Sequence, residues 1–148
     1  MNLIELLTRD CTQSAVPCRS KKHAFEIISE LAAENLDRPA LPILEALLNR
    51  ENIGSTAIGQ GIAIPHGRLA DLEQATAVLI TLQEPLDFDA LDGQPVDLLF
   101  ALLVPEDQCQ LHLKTLSLIA KTLNQRSFSQ KLRNAKDSEE LYELITSA

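Results

Sequence analysis

The sequence has no tryptophan, one tyrosine and four phenylalanines. So few rings cannot build a platform on which nucleotide bases stack. Basic residues are scarce too: 13 Lys and Arg face 21 Asp and Glu, a formal net charge of −8 at pH 7. A chain this acidic repels a phosphate backbone, so non-specific nucleic-acid binding is not expected. Long apolar runs are missing. The longest, Leu98 to Val104, covers seven residues, against about 20 for a membrane-spanning helix. The N-terminal MNLIELLTRD carries Glu5 inside a very short apolar stretch and has no cleavage pattern, so it does not read as a secretion signal. The three cysteines, Cys11, Cys18 and Cys109, are an odd number without a CxxC pair. Cys11 and Cys18 can pair only in an oxidising compartment, and the expectation is reduced thiols in the cytoplasm.

What is present is an ordinary globular composition: 148 residues, 45% hydrophobic and 23% charged. That length fits one domain, residues 1–148. No repeat or linker interrupts it. The most broken stretch is Asn35 to Pro42, where Pro39 and Pro42 separate two helical patterns. Ser20 caps the first, which runs to about Asn35 with Ala24, Ile27, Ile28 and Leu31 as its inward stripe. Leu41, Leu44, Leu47 and Leu48 mark the second, ending near Arg50 and Glu51. Ala75–Leu82 and Val96–Val104 are apolar and only weakly alternating, as strands covered on both faces are. Asp92-Gly93 is a turn signal between them. After Pro105 the helical period returns, with Leu116, Ile119, Ala120 and Leu123 on one stripe. A last helix starts at Asp137, where Glu140 completes a capping box. Helices, then sheet, then helices predict an α/β layered domain with helices on both faces of the sheet.

Four of the five glycines (Gly54, Gly59, Gly61 and Gly67) fall within RENIGSTAIGQGIAIPHGR, Arg50 to Arg68. This segment has no long helical or strand period. Pro65 fixes its own φ and extends Ile64, so Pro65 and Gly67 bracket His66 in irregular backbone that presents an imidazole at a surface. His112 is the second candidate. It sits on the inward stripe of its helix, where a polar ring needs a partner, and near the helix N-terminus, where an anion is favoured. If the two rings meet, they face one pocket able to hold a phosphate. Arg50 and Arg68 flank the glycine segment and can donate to phosphate oxygens, with Arg68 the more ordinary surface cation. Ser55 and Thr56 either bond an imidazole nitrogen or cap a turn. His23 shares a solvated acidic face with Glu26, Glu30 and Glu34 and reads as surface.

Other chemistries fit poorly. There is no Walker A sequence, GxSxG or HExxH, and Gly59-x-Gly61 lacks the third glycine of a dinucleotide loop. Cys109-x-x-His112 with His66 makes a weak zinc spacing without an evident fourth ligand. Glu106 and Asp107 read as acids at a helix N-terminus rather than a catalytic pair. Neither a metal nor a cofactor is expected.

The segment STAIGQGIAIPHGR resembles the active-site segment of the IIA components of the phosphoenolpyruvate-dependent phosphotransferase system, in the fructose/mannitol/nitrogen-regulatory class. SKKHAFEIISELAAENL, FDALDGQPVDLLFALLVPEDQ and HLKTLSLIAKTLN resemble the nitrogen-regulatory branch. The resemblance covers essentially the whole chain. It implies a mixed sheet flanked by helices, and a histidine in IAIPHG, His66 here, that accepts a phosphoryl group from an HPr-like carrier. The histidine opening the HLKTLS helix, His112, would support the phosphorylated ring, and the arginine of RE-x-x-x-ST, Arg50, would lie near the phosphate. The family pattern puts the phosphoryl group on Nε2. Nitrogen-regulatory members act through partner proteins, including potassium-transport and sensor-kinase partners, and not through a sugar permease.

The chemistry is consistent with those residues. Imidazole offers a neutral, nucleophilic nitrogen near pH 7, and a phosphoryl group on nitrogen keeps high transfer potential. Transfer needs in-line positioning and charge stabilisation. The function expected is a cytoplasmic regulatory phosphocarrier rather than a free-standing turnover enzyme. Three alternatives stand beside it: a sugar-specific IIA passing phosphoryl to a IIB cysteine, a binding module whose His66 is never modified, and a metal-dependent hydrolase.

Overall fold

The computed structural model describes residues 3–148, without the side chains of Cys109 and Leu111. The Met1-Asn2 start of the N-terminal segment and the Cys109 thiol of the zinc spacing therefore lie outside the described residues. The chain runs β1 (Thr12–Val16), α1 (Lys21–Leu36), α2 (Ala40–Glu51), β2 (Ala57–Gly59), β3 (Ile62–Ala63), β4 (His66–Leu69), β5 (Thr76–Leu86), β6 (Val96–Pro105), α3 (Cys109–Leu123), α4 (Arg126–Arg133) and α5 (Ser138–Thr146). Among the described residues the strands form one mixed sheet of order β1-β5-β6-β3-β2, with β4 also on β6. β5 and β6 pair antiparallel at its centre, whereas β1 on β5, and β3 and β4 on β6, are parallel.

Alternation within β5 and β6 is what buries both faces. Val78, Ile80, Leu99, Ala101 and Leu103 turn to α1 and α2, where Phe25, Ile28, Ile43 and Leu47 complete one core. Ala77, Leu79, Leu98, Phe100 and Leu102 turn to α3, α4 and α5, meeting Ile119, Leu123, Leu132, Leu141 and Ile145. β6 and the 76–82 part of β5 are largely apolar because both of their faces are covered; only past Leu82 does β5 reach solvent, at Gln83, Glu84 and Pro85.

The helix ends follow their capping residues. Ser20 Oγ accepts from the His23 N–H at 3.1 Å, a cap worth about 1 kcal/mol. Asp137 caps α5 through the Glu140 N–H at 2.8 Å. Glu140 reaches back to the N–H of Lys136 rather than to that of Asp137. Three expectations need correcting. The buried stripe of α1 is Ala24, Phe25, Ile28, Ser29 and Ala32; it is rotated so that Ile27 and Leu31 lie at its margin, because Phe25 is the larger group and takes the centre opposite Phe88. Pro42 belongs to α2 and not to the break: it sits in the first turn, where its missing N–H has no intrahelical acceptor to lose, and Leu41 is exposed. His66 is not in irregular backbone but opens β4, paired with Leu102.

β3 and β4 are two pieces of one edge along β6, broken at Ile64-Pro65. Pro65 has no N–H but its carbonyl accepts from Leu102 N, while the Ile64 N–H turns away to the Thr56 carbonyl at 3.0 Å. α2 then lies directly on β4. A Cβ at Gly67 would stand 3.0 Å from both the backbone carbon and oxygen of Ala46, and backbone atoms give way less readily than a side-chain tip. Gly67→Ala is expected to cost about 1–3 kcal/mol as an overpacking change. Urea unfolding measures it; an unchanged midpoint would mean that α2 is not seated on Gly67.

Candidate functional site

A cleft of about 530 Å³ opens between the C-terminal half of α2, strand β4 and the start of α3. Arg50, His66, Arg68 and His112 all line it, with Asn49, Ile53 and Leu113 among their neighbours. The two candidate histidines and the two flanking arginines, 62 residues apart at their widest in sequence, are thus brought to one opening. His23 is elsewhere, its Nδ1 accepting from the Arg19 N–H.

His66 is half-buried. Its Nδ1 lies 2.9 Å from the Ile64 carbonyl oxygen. A carbonyl only accepts, so Nδ1 carries the proton and Nε2 is left with its lone pair. The break at Ile64-Pro65 is what frees that carbonyl for its own strand's side chain. Burial pushes the His66 pKa below the usual imidazole value; the bond to Ile64 opposes this, and the Arg50 charge adds to the lowering. The neutral, nucleophilic ring is therefore the form present at neutral pH.

His112 stands in the first turn of α3. Its side chain is buried, at 5% residue exposure, and neither ring nitrogen has a hydrogen-bond partner among the described residues. Leaving such a group unpaired costs on the order of 1–3 kcal/mol. A structural core histidine would be satisfied. Burial, then the charge of Arg68, lowers its pKa, with Asp107 opposing.

Arg50 is anchored, not free-swinging: its Nη1 donates to the Gly54 carbonyl at 2.8 Å. That bond uses one of five guanidinium donors. Ser55 and Thr56 do not bond an imidazole. Ser55 Oγ donates to the Phe88 carbonyl, and Thr56 Oγ1 donates to Glu51 at 2.6 Å. No group of three or more His, Cys, Asp or Glu able to hold a metal is found among the described residues, nor a helix long and apolar enough to cross a membrane.

The sequence offers Arg68 as a phosphate donor but favours a surface cation for it; the structure places it on the cleft wall with Arg50, and the apolar rim was missed. Ile53 is 83% and Leu113 65% exposed, and both border the cleft. Neither has a motif to betray it: Leu113 is an apolar residue off the buried stripe of α3, and Ile53 sits in the turn after α2.

The fold is one already seen in phosphotransferase IIA proteins. The nitrogen regulatory protein IIA-Ntr from Neisseria meningitidis superposes with a TM-score of 0.87 at 39% identity, over 96% of this chain and 97% of that one. IIA mannitol from Escherichia coli shares the fold at a TM-score of 0.74 and 19% identity, over 88% of this chain and 92% of that one. Residues 5–148 match the family model of the phosphoenolpyruvate-dependent sugar phosphotransferase system, EIIA 2, and the chain belongs to that family. Within it, the nitrogen regulatory protein of Escherichia coli (strain K12) is 55% identical over 147 residues, 99% of this chain and 90% of the relative. The chain is thus a phosphotransferase-system IIA protein of the nitrogen-regulatory kind.

A pH titration followed by NMR should place the His66 midpoint below 6.5. Arg50→Met removes a neighbouring positive charge and should move that midpoint upward; no movement would mean that the Arg50 charge is not felt at the ring. Both cleft histidines have depressed folded-state values. Their contribution to stability is therefore full above the unfolded value near 6.5 and is lost as pH falls through the folded midpoints.

Proposed function

We propose that His66 Nε2 is the phosphoryl acceptor and that the chain acts as a regulatory phosphocarrier. The observation that carries this reading is the pairing of a ring whose free lone pair is set by Ile64 with a second, buried ring that has no partner among the described residues, both at one cleft. In the transfer, the Nε2 lone pair attacks phosphorus while the P–N bond to the donor's imidazole breaks and its electron pair returns to that nitrogen. Nδ1 keeps its proton on the Ile64 carbonyl throughout. No proton has to leave the acceptor first, so the step needs positioning more than base catalysis.

The incoming group adds roughly −1.5 to −2 charges, by analogy with other phosphorylated side chains, to a chain already at −8. His112 is the donor waiting for it: a phosphate oxygen gives its orphaned ring the partner it lacks. Arg50 supplies fixed positive charge from the end of α2, and Arg68 from β4. The donor would be an HPr-like phosphocarrier, and regulated partner proteins would read the state of the site. Ile53 and Leu113 form an apolar rim for docking, and the added charge within that rim is the switch that dismisses a partner bound to the unmodified form.

Incubation with the phosphorylated carrier should place one acid-labile label on the chain. Mass spectrometry under alkaline conditions should locate it on His66, and His66→Ala should take up none. Label elsewhere overturns the assignment. His112→Leu removes two unsatisfied buried nitrogens, so its melting temperature should be equal or higher, while transfer slows at least about tenfold, as loss of one charge-stabilising donor does. A clear loss of stability with unchanged transfer would return His112 to a purely structural part.

A further inference from the structure

Glu51 is the last residue of α2, and its side chain is 4% exposed. It follows Ile43 and Leu47 along the buried face of that helix, a place where a carboxylate is stable only if every oxygen is occupied. Both are. Oε1 accepts from Thr56 Oγ1 at 2.6 Å, and Oε2 accepts from the Thr56 N–H at 3.1 Å and pairs with Lys21 Nζ at 2.9 Å. The same ammonium donates to the Phe88 carbonyl, to which Ser55 also donates. The start of α1, the end of α2 and the 87–89 loop are therefore gathered around one carboxylate.

From Thr56 the bonding continues into the site. The Thr56 carbonyl accepts from the Ile64 N–H at 3.0 Å, and the carbonyl of Ile64 accepts from His66 Nδ1 at 2.9 Å. The turn that Glu51 closes also carries Gly54, whose carbonyl holds the Arg50 guanidinium. We propose that Glu51 is a positioning residue, acting through Thr56 and the Ile64 peptide to hold the His66 ring in its Nδ1–H form and through Gly54 to hold Arg50. The proposal rests on His66 being the acceptor for its effect on transfer, but not for its effect on the ring. The negative charge of Glu51 is also felt at His66, where it opposes the lowering of the pKa by burial.

The test uses the full chain carrying Glu51→Gln, Thr56→Val and Thr56→Ser, with Ile145→Val as a core deletion on the other face of the sheet. Long-range ¹H–¹⁵N NMR at alkaline pH reads the tautomer of the neutral His66 ring without any phosphorylation. The wild type, Thr56→Ser and Ile145→Val should show the Nδ1–H form predominating to the same extent. Glu51→Gln and Thr56→Val should show a clearly larger Nε2–H fraction than the wild type, and their rate of phosphoryl uptake from the carrier should fall about tenfold or more, as misplacement of a reacting group does. Thr56→Val serves should Glu51→Gln not fold. A folded Glu51→Gln or Thr56→Val with the wild-type tautomer signature overturns the proposal. Absence of label on wild-type His66 with the tautomer shift intact would sink the acceptor assignment instead and leave the positioning intact.

Discussion

One carbonyl oxygen governs the chemistry proposed for this protein. Ile64 O, 2.9 Å from His66 Nδ1, favours the proton on that nitrogen and therefore leaves the lone pair on Nε2. A single such bond contributes only about 0.5–1.5 kcal/mol net, enough to bias a tautomer ratio several-fold, so its geometry has to be secured by the surrounding chain. That is the purpose of the irregular edge between β3 and β4. A continuous strand would spend the Ile64 peptide on ladder bonds to β6. The proline at 65 and the diversion of the Ile64 N–H to Thr56 leave the carbonyl where the imidazole can reach it. The buried strand β6 still fixes both ends: Ile62 and Ala63 pair with it on one side of the break, and His66 to Leu69 on the other.

The cleft carries a cost that the fold does not need. Two nitrogens of His112 are buried without partners among the described residues, where the other buried polar side chains are mostly bonded. Strain of that kind is retained where it serves an interaction absent from the resting state. Burial disfavours the charged form of both rings, and Arg50 at His66 and Arg68 at His112 add to it by raising the cost of a further positive charge. The same charges then favour an anion arriving between them. On the proposed role of His66, the neutral ring and its cationic surroundings serve the same transfer, one before and one after the phosphoryl group arrives.

Much of this was legible in the residues. The apolar 75–82 and 96–104 stretches read as strands buried on both faces because both faces are in fact covered, and glycine density around Pro65-His66 marked the site. The two halves of the cleft share no local pattern, so only the resemblance to the IIA family joined His66 to His112 and Arg50 before the fold did. What stayed hidden was hidden for physical reasons. β1 holds a single strongly apolar residue, Val16, in TQSAV, and α4 offers only Phe128 and Leu132 among polar neighbours; both elements are made by tertiary contact and not by local preference. β2, β3 and β4 are too short to show a period. Glu51 did leave a trace, a carboxylate four residues beyond Leu47 on an apolar stripe, and its meaning emerges only once Thr56 folds back onto it.

The tautomer argument leads to one atom. Phosphorylating the ¹⁵N-labelled chain with its carrier and correlating ring nitrogens with phosphorus by NMR identifies the nitrogen that bears the group. Phosphorus on Nε2 of His66, with Nδ1 still protonated against Ile64, is the expected result. Phosphorus on Nδ1, or on the ring of His112, would contradict it.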